Sequence, residues 1–523
     1  MKLVLRKGAA LALFAVVAAL AACGGGGGGG GGGGFGLPLT AALPPAAPAD
    51  DVIVASSSVA GQCAAPRTGV DPDTGAAFPD RSGTLADEKR WVRGWIDESY
   101  LWFDEVPTTL AAKDYATPIT YFNVLKTPKL TTAGRPKDRF HFTQDTAAYR
   151  ALSQNGIDVG YGLELAFLSA SAPRDLRVAF TEPGSPAAQA AILRGTRLIE
   201  IDGVDVANGT DTAKLNAGIA PAREGEAHDF KLRAPDGSER TLTLTAARIT
   251  RAPVQNVKTI ATAGGAVGYL LFNDHLATAE APLIAAVNQL KTAGIVDLVI
   301  DMRYNGGGLL DIASELASMV SSPAATSGAV FERLQFNSKN PFHLTTAQAT
   351  VPFHPTSRGF SVPAGQALPR LGLSRVTVLS GPDTCSASES VVNSLRGVGV
   401  AVNLVGGTTC GKPYGFFPQD NCGTTYFAIQ FQGVNNQGFG DYSDGFAPGC
   451  AVPDDFGHAL GDPAEARLAA ALVLQGGGAC PTPSASSKEQ LALHKAEAAG
   501  QPYLVRSPLR ESRLLAPAED ARR

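Results

Sequence analysis

A chain of 523 residues, 44% hydrophobic and 18% charged, is too long for one ordinary core and too apolar for general disorder, so two or three folded domains with unstructured ends are expected. A formal net charge of -4 and the lack of any long Lys/Arg block exclude the electrostatic footprint of a nucleic-acid binder.

At the start of the chain, Lys2, Arg6 and Lys7 flank an apolar run from Gly8 to Ala22 that is too short to cross a bilayer as a mature helix, which predicts a signal peptide over 1–22. It ends in Leu20-Ala21-Ala22-Cys23, which resembles the lipobox of bacterial lipoproteins and implies lipidation of Cys23. The competing expectation is plain cleavage with Cys23 unmodified. Because Gly24, not an aspartate, follows the cysteine, the same resemblance implies a lipid bilayer anchor in a bacterial cell envelope, at the periplasmic face of the outer membrane. Six cysteines remain (Cys63, Cys385, Cys410, Cys422, Cys450 and Cys480), an even number in an oxidising compartment, so up to three disulfides are expected with their connectivity open. None sits in a Cys-x-x-Cys pair or at finger-like spacing from histidine, so no metal is expected.

Residues 24–34 are unbroken glycine, and the whole of 23–84 is rich in Gly, Ala and Pro, which predicts a flexible tether. Trp91, Trp95, Tyr100 and Trp102 recur at mixed helical spacings, so 85–150 is expected to be a helical region with these rings in its core. Over 156–250, short β-type runs (163–168, 176–180, 197–202 and 241–247) alternate with Gly/Pro turns and predict a small β-rich domain. From 251 to 475, apolar strands (267–272, 296–301, 375–380 and 401–405) alternate with helix-length amphipathic runs, the signature of an α/β layer with buried, largely parallel strands. The segment 476–523 is expected to be a disordered or peripheral tail.

Three loops of the α/β region carry candidate chemistry. Ser386 stands at the predicted head of a helix, where free amides and the positive helix end would stabilise an oxyanion. The same Ser-Ala-Ser-Glu also satisfies a structural capping box. Lys412 follows the 401–405 strand and a Gly406-Gly407 turn. A desolvated, neutral lysine there would deprotonate Ser386, the Ser/Lys variant of nucleophilic catalysis, with a rate climbing between about pH 6 and 9. Asn305-Gly306-Gly307-Gly308 follows a strand end, where an amide of Gly307 or Gly308, with that of Ala387, would complete an oxyanion hole.

In the β-rich segment, Gly160-Tyr161-Gly162-Leu163 resembles the carboxylate-binding loop of a PDZ domain, and residues 184–206 resemble its helix, strand and turn. That likeness implies peptide binding by strand addition; the alternative is a β-domain that spaces or gates an enzyme. YLWFDEVP (100–107), the PDZ-like segment, DMRYNGGG (301–308), TCSASE (384–389), GGTTCGK (406–412) and GDPAEARLAAAL (461–472) occur in one order, and over about 85–475 the chain resembles the carboxyl-terminal processing, or tail-specific, protease family of Ser/Lys peptidases. The resemblance implies a crotonase/ClpP-like α/β core with an inserted or preceding PDZ-like domain. It also implies cleavage of extracytoplasmic polypeptides without a cofactor, with Ser386 as nucleophile and Lys412 as base. Two departures stand out: the Ser-to-Lys separation is 26, one longer than usual in the family, and Phe416 replaces the polar glutamine often found four residues after the lysine. A Cys385–Cys410 disulfide would brace the pair, with Cys410–Cys422 as the other option. Pro413 at the Ser/Thr position removes a P-loop reading of 406–412, and the scattered His275, His354 and His458 are expected to be structural. The alternative function is a non-catalytic binder of peptide or apolar ligand in the same fold.

Overall fold

The computed structural model describes residues 52–72, 74–481 and 504–505; the predicted signal peptide, Cys23 and the glycine run lie outside them. The first long helix, α1 (Leu85–Ser99), starts at a reciprocal cap. Thr84 Oγ1 accepts from the Asp87 N–H at 3.2 Å, and the Asp87 carboxylate accepts from the Thr84 N–H at 3.0 Å. Trp91, Trp95 and Tyr100 are buried, as expected. The rest of the expected helical region is largely turns and loop, because Pro107, Pro118, Pro128 and Pro136 punctuate it; only Pro118–Phe122 and Thr146–Asn155 return to α-helix.

The described part of the predicted tether is anchored, contrary to the compositional reading. Ser56 donates its hydroxyl to Glu98 at 2.5 Å, and Cys63 is joined to Cys422, 359 residues away in sequence. A covalent link to the folded body overrides a composition that could not order itself.

The β-rich domain is a sheet of β1 (Leu163–Ser169), β2 (Asp175–Thr181), β3 (Arg197–Ile201), β4 (Ala227–Arg233) and β5 (Glu239–Thr245), with α2 (Thr212–Ile219) beside it. Strand β4 was not foreseen; its buried Phe230 and Leu232 alternate with charged residues in AHDFKLR. Ile157–Gly160 pairs antiparallel with Ala247–Thr250, so the chain enters and leaves this domain side by side.

Six strands then form the core sheet in sequence order: β6 (Val254–Thr262), β7 (Gly265–Phe272), β8 (Asp297–Asp301), β9 (Arg375–Ser380), β10 (Ala401–Gly406) and β11 (Cys450–Ala451). The first pair is antiparallel and the other neighbours are parallel. Residues alternate between two buried faces. Leu270, Phe272, Leu298, Ile300, Val376 and Val378 pack against α3 (Glu280–Thr292), α4 (Leu310–Val320) and α5 (Ala387–Gly397). Tyr269, Leu271, Val299, Leu379 and Val405 face α6 (Ala466–Gln475) and part of the β-rich domain. The architecture is therefore α/β.

Beneath the β8 end, the fully buried Arg303 guanidinium binds Asp301 at 2.9 Å, Asp454 at 2.7 Å and Glu465 at 2.8 Å, which explains why DMRYNGGG and GDPAEA belong to one structural unit. Within the predicted peripheral tail, Cys480 is tied to Cys450, and Leu504–Val505 forms β12, an edge strand on β1. Among the described residues, no helix is long and apolar enough to cross a membrane.

Candidate active site

Parallel strands β8, β9 and β10 all point their carboxyl ends the same way, so the loops 302–308, 381–386 and 407–412 emerge together at one edge of the sheet. This is where α/β folds place ligands. Backbone bonds lace the three loops: Cys385 N–H to Asn305 O at 3.0 Å, Cys410 N–H to Thr384 O at 3.0 Å, and Gly407 N–H to Ser380 O at 2.9 Å. The Cys385–Cys410 disulfide adds a covalent stitch next to Ser386.

Ser386 is held at φ 55, ψ -118, a conformation costing about 1–3 kcal/mol that only its surroundings can enforce. Glu389, fully buried one turn into α5, is the main constraint. Its Oε2 accepts from the Ser386 N–H at 3.1 Å and the Lys412 N–H at 2.8 Å, and its Oε1 accepts from the Gly411 N–H at 2.8 Å and the Thr409 hydroxyl at 2.5 Å. Burial pushes this carboxyl above its usual range, while those four donors pull it back. The capping reading of Glu389 thus describes half of what it does, since the other half is to fasten the lysine loop to the head of the helix.

Ser386 and Lys412 line one open cleft. Lys412 is buried, and its Nζ lies 4.4 Å from the centre of the Phe416 ring and 5.0 Å from that of Phe140. An aromatic ring thus stands where the sequence comparison looked for an amide. Phe142, Tyr149 and Phe427 extend the apolar wall, so the amino-terminal region and a distant strand complete a cleft that the α/β layer alone does not enclose.

Gly307 and Gly308 lie in the same cleft, at φ 101 and 136. A Cβ on Gly307 would fall 2.8 Å from Ser386 Cβ and 3.0 Å from Ala387 N, so glycine lets this loop rest on the helix head. The Gly307 N–H is engaged by Asn305 Oδ1 at 2.9 Å, which removes it as an oxyanion donor. Gly308 differs. His275 N–H bonds to Gly307 O and Leu309 N–H bonds to His275 O, so in this parallel bridge the N–H of Gly308 itself faces away from the 275 segment.

Sequence reasoning missed the role of Asn305 and set His275 aside. Asn305 Oδ1 also meets His275 Nδ1 at 3.0 Å, and its Nδ2 donates to Phe272 O at 2.9 Å. Because that oxygen can only accept, Nδ1 carries the imidazole proton. Burial pushes His275 down to about 4, leaving a neutral ring that borders the cleft. Its position just past the β7 end, like that of the other loops, was the available signal.

The predicted peptide loop lies elsewhere. Gly160, Tyr161, Gly162 and Leu163 line a smaller pocket with Ile219 and Arg251. A Cβ on Gly162 would strike Ser185 Cβ at 2.2 Å, so that turn requires glycine. Arg251 links the pocket to the core, reaching Glu164 at 2.6 Å, Glu182 at 3.0 Å and Asp274 at 3.3 Å.

Comparison with known proteins gives the same two regions a family. Residues 87–142 match the peptidase S41 N-terminal domain, and residues 266–420 match peptidase family S41. A carboxyl-terminal-processing protease of Picosynechococcus is 33% identical over 146 residues, covering 28% of this chain and 34% of that protein. A chloroplastic C-terminal processing peptidase of Tetradesmus obliquus is 29% identical over 244 residues, covering 44% and 51%. The aligned regions thus span about a third to a half of the length of these relatives. The fold is shared with a Bacteroides fragilis protein assigned to the S41 proteases, at a TM-score of 0.57 and 21% identity over 74% of this chain and 97% of that one. Both family regions are matched in order, and the matched segments span the α1 region and the three loops of the cleft, so these parts of the chain are peptidase S41 regions, similar to those of carboxyl-terminal-processing proteases.

Proposed function

We propose that the chain is a serine-type endopeptidase that cleaves polypeptides through a Ser386/Lys412 dyad. One observation carries this reading: both side chains border the same cleft, on loops whose backbones are fastened to the single carboxylate of Glu389. In the proposed reaction the neutral Lys412 amine takes the Ser386 hydroxyl proton as Oγ attacks the scissile carbonyl carbon. The oxyanion is received by the amides of Gly308 and Ala387, the latter at the positive end of α5. Lys412 then gives its proton to the departing amine, leaving an ester on Ser386. Water, deprotonated by the same lysine, attacks that ester; as its C–O bond breaks, Lys412 returns the proton to Ser386 Oγ and the new carboxyl terminus is released.

Peptide hydrolysis by purified chain tests the dyad. Ser386→Ala and Lys412→Ala are each expected to lose roughly three orders of magnitude or more in kcat with folding retained, and the parent rate is expected to rise with pH as the amine becomes uncharged. Wild-type cleavage by either variant would leave the non-catalytic, peptide-holding reading in place.

The β-rich domain is proposed to receive extended polypeptide segments in PDZ fashion, at the Gly160–Leu163 turn and the β1 edge. Three disulfides support work in an oxidising compartment, which agrees with export and a lipid anchor at Cys23 in the bacterial envelope. Loss of palmitate labelling in Cys23→Ser is the expected check of the anchor.

A further inference from the structure

The β1 edge, where the β-rich domain would offer backbone groups to an added strand, is already taken. β12 pairs with it antiparallel, Leu504 opposite Ala166 and Val505 opposite Leu165. Both side chains are buried, at 3% and 5% exposure. Val505 enters the domain's own core with Leu165, Val178 and Leu215, while Leu504 packs with Ala166, Tyr304 and Leu379 of the α/β body. Leu504 N–H donates to Asp383 Oδ2 at 3.4 Å, on the loop that leads to Ser386. Val505 also lines the small pocket that contains the Gly160–Leu163 turn and Ile219 of α2.

The register runs the carboxyl side of the seated segment toward that turn, since Val505 lies nearer Leu163 than Leu504 does. The sequence goes on past Val505 to Arg523, so the seated residues are an internal stretch.

We propose that this groove binds extended apolar segments by strand addition, that it accepts internal segments, and that Leu504–Val505 is its resident occupant, which an incoming polypeptide has to displace. The proposal rests on the reading that the β-rich domain receives polypeptide, and it adds competition from within the same chain. An occupant that belongs to the same chain competes at an effective concentration that dilution of the protein does not lower, so a free peptide of the same sequence is held off until that occupant leaves. The groove thereby stays filled between encounters, which also covers a strand edge that would otherwise invite aggregation.

The test measures binding without turnover, so its failure leaves the dyad standing and failure of the dyad leaves it intact. In full-length Ser386→Ala chain, the probe is a fluorescently labelled synthetic peptide of residues 501–508, QPYLVRSP, followed by anisotropy. Adding Leu504→Asp and Val505→Asp to the chain, which puts two charges into a buried apolar seat, is expected to tighten peptide binding at least about ten-fold. The same peptide with both positions changed to aspartate is expected to bind neither chain. Val505→Ala, which keeps an apolar side chain, is expected to fall between the two and serves if the double variant does not fold. Equal affinity in the parent-tail and variant chains, or no binding to either, would overturn the proposal.

Discussion

Glu389 shows how one side chain can serve two ends. As a helix cap it needs only the Ser386 N–H, yet its carboxylate also holds the Lys412 and Gly411 amides and the Thr409 hydroxyl. A glutamine offers one oxygen where the carboxylate offers two, so in either orientation two of the four donors face an N–H instead of an acceptor. Each lost bond to a charged acceptor is worth about 1.5–3 kcal/mol. Glu389→Gln is therefore expected to lower kcat by roughly ten- to a hundred-fold with KM little changed. Glu389→Asp, which keeps both oxygens, should recover part of that loss. A fall in thermal stability with kcat untouched would reduce Glu389 to a cap.

At the scale of elements, the cleft exists because three parallel strands end together and their loops bond to one another. The Cys385–Cys410 link crosses two of those loops at their most exacting point, immediately before the nucleophile and two residues before the base. Closing a loop of that size stabilises a chain by about 3 kcal/mol through the unfolded state, whatever it does to the site. The two effects separate in a Cys385→Ala/Cys410→Ala variant. Thermal stability is expected to drop in either case, whereas a several-fold fall in kcat at a temperature where the fold persists would report bracing of the dyad. Unchanged turnover would remove the bracing role.

For the molecule as a whole, buried charges cluster where the β-rich domain, α6 and the β8 end meet. Arg303 sits fully buried among Asp301, Asp454 and Glu465, and Arg194 reaches Asp454 from the β-rich domain at 2.7 Å. Burial alone would raise the Asp454 and Glu465 carboxyls, but the neighbouring guanidinium groups outweigh it and hold both below their ordinary values. A depressed folded-state value means that their contribution is complete above the ordinary carboxyl range near pH 4 and is lost as pH falls through the folded values. Acid unfolding is thus expected below about pH 4. Glu465→Gln, which leaves part of the Arg303 charge unanswered, is expected to cost about 3–5 kcal/mol at neutral pH and to flatten the acid limb. Denaturant titrations at several pH values would check both; an unchanged acid limb would mean that other carboxylates govern it.

Periodicity by itself determined the α/β alternation: the strand at 375–380 has the bounds its residue pattern predicted and a helix begins directly after Ser386 as expected, since buried strands and capped helices are written in near neighbours. The motifs around Ser386, Lys412 and Gly308 were legible for the same reason, as each is a short run beside a strand end. Tertiary structure alone decided which cysteines pair, that Phe142 walls the cleft while Phe140 lies beside Lys412, and that Leu504–Val505 closes the β1 edge. Those contacts join residues far apart in sequence, and no local pattern encodes a partner whose position depends on how every intervening element has packed.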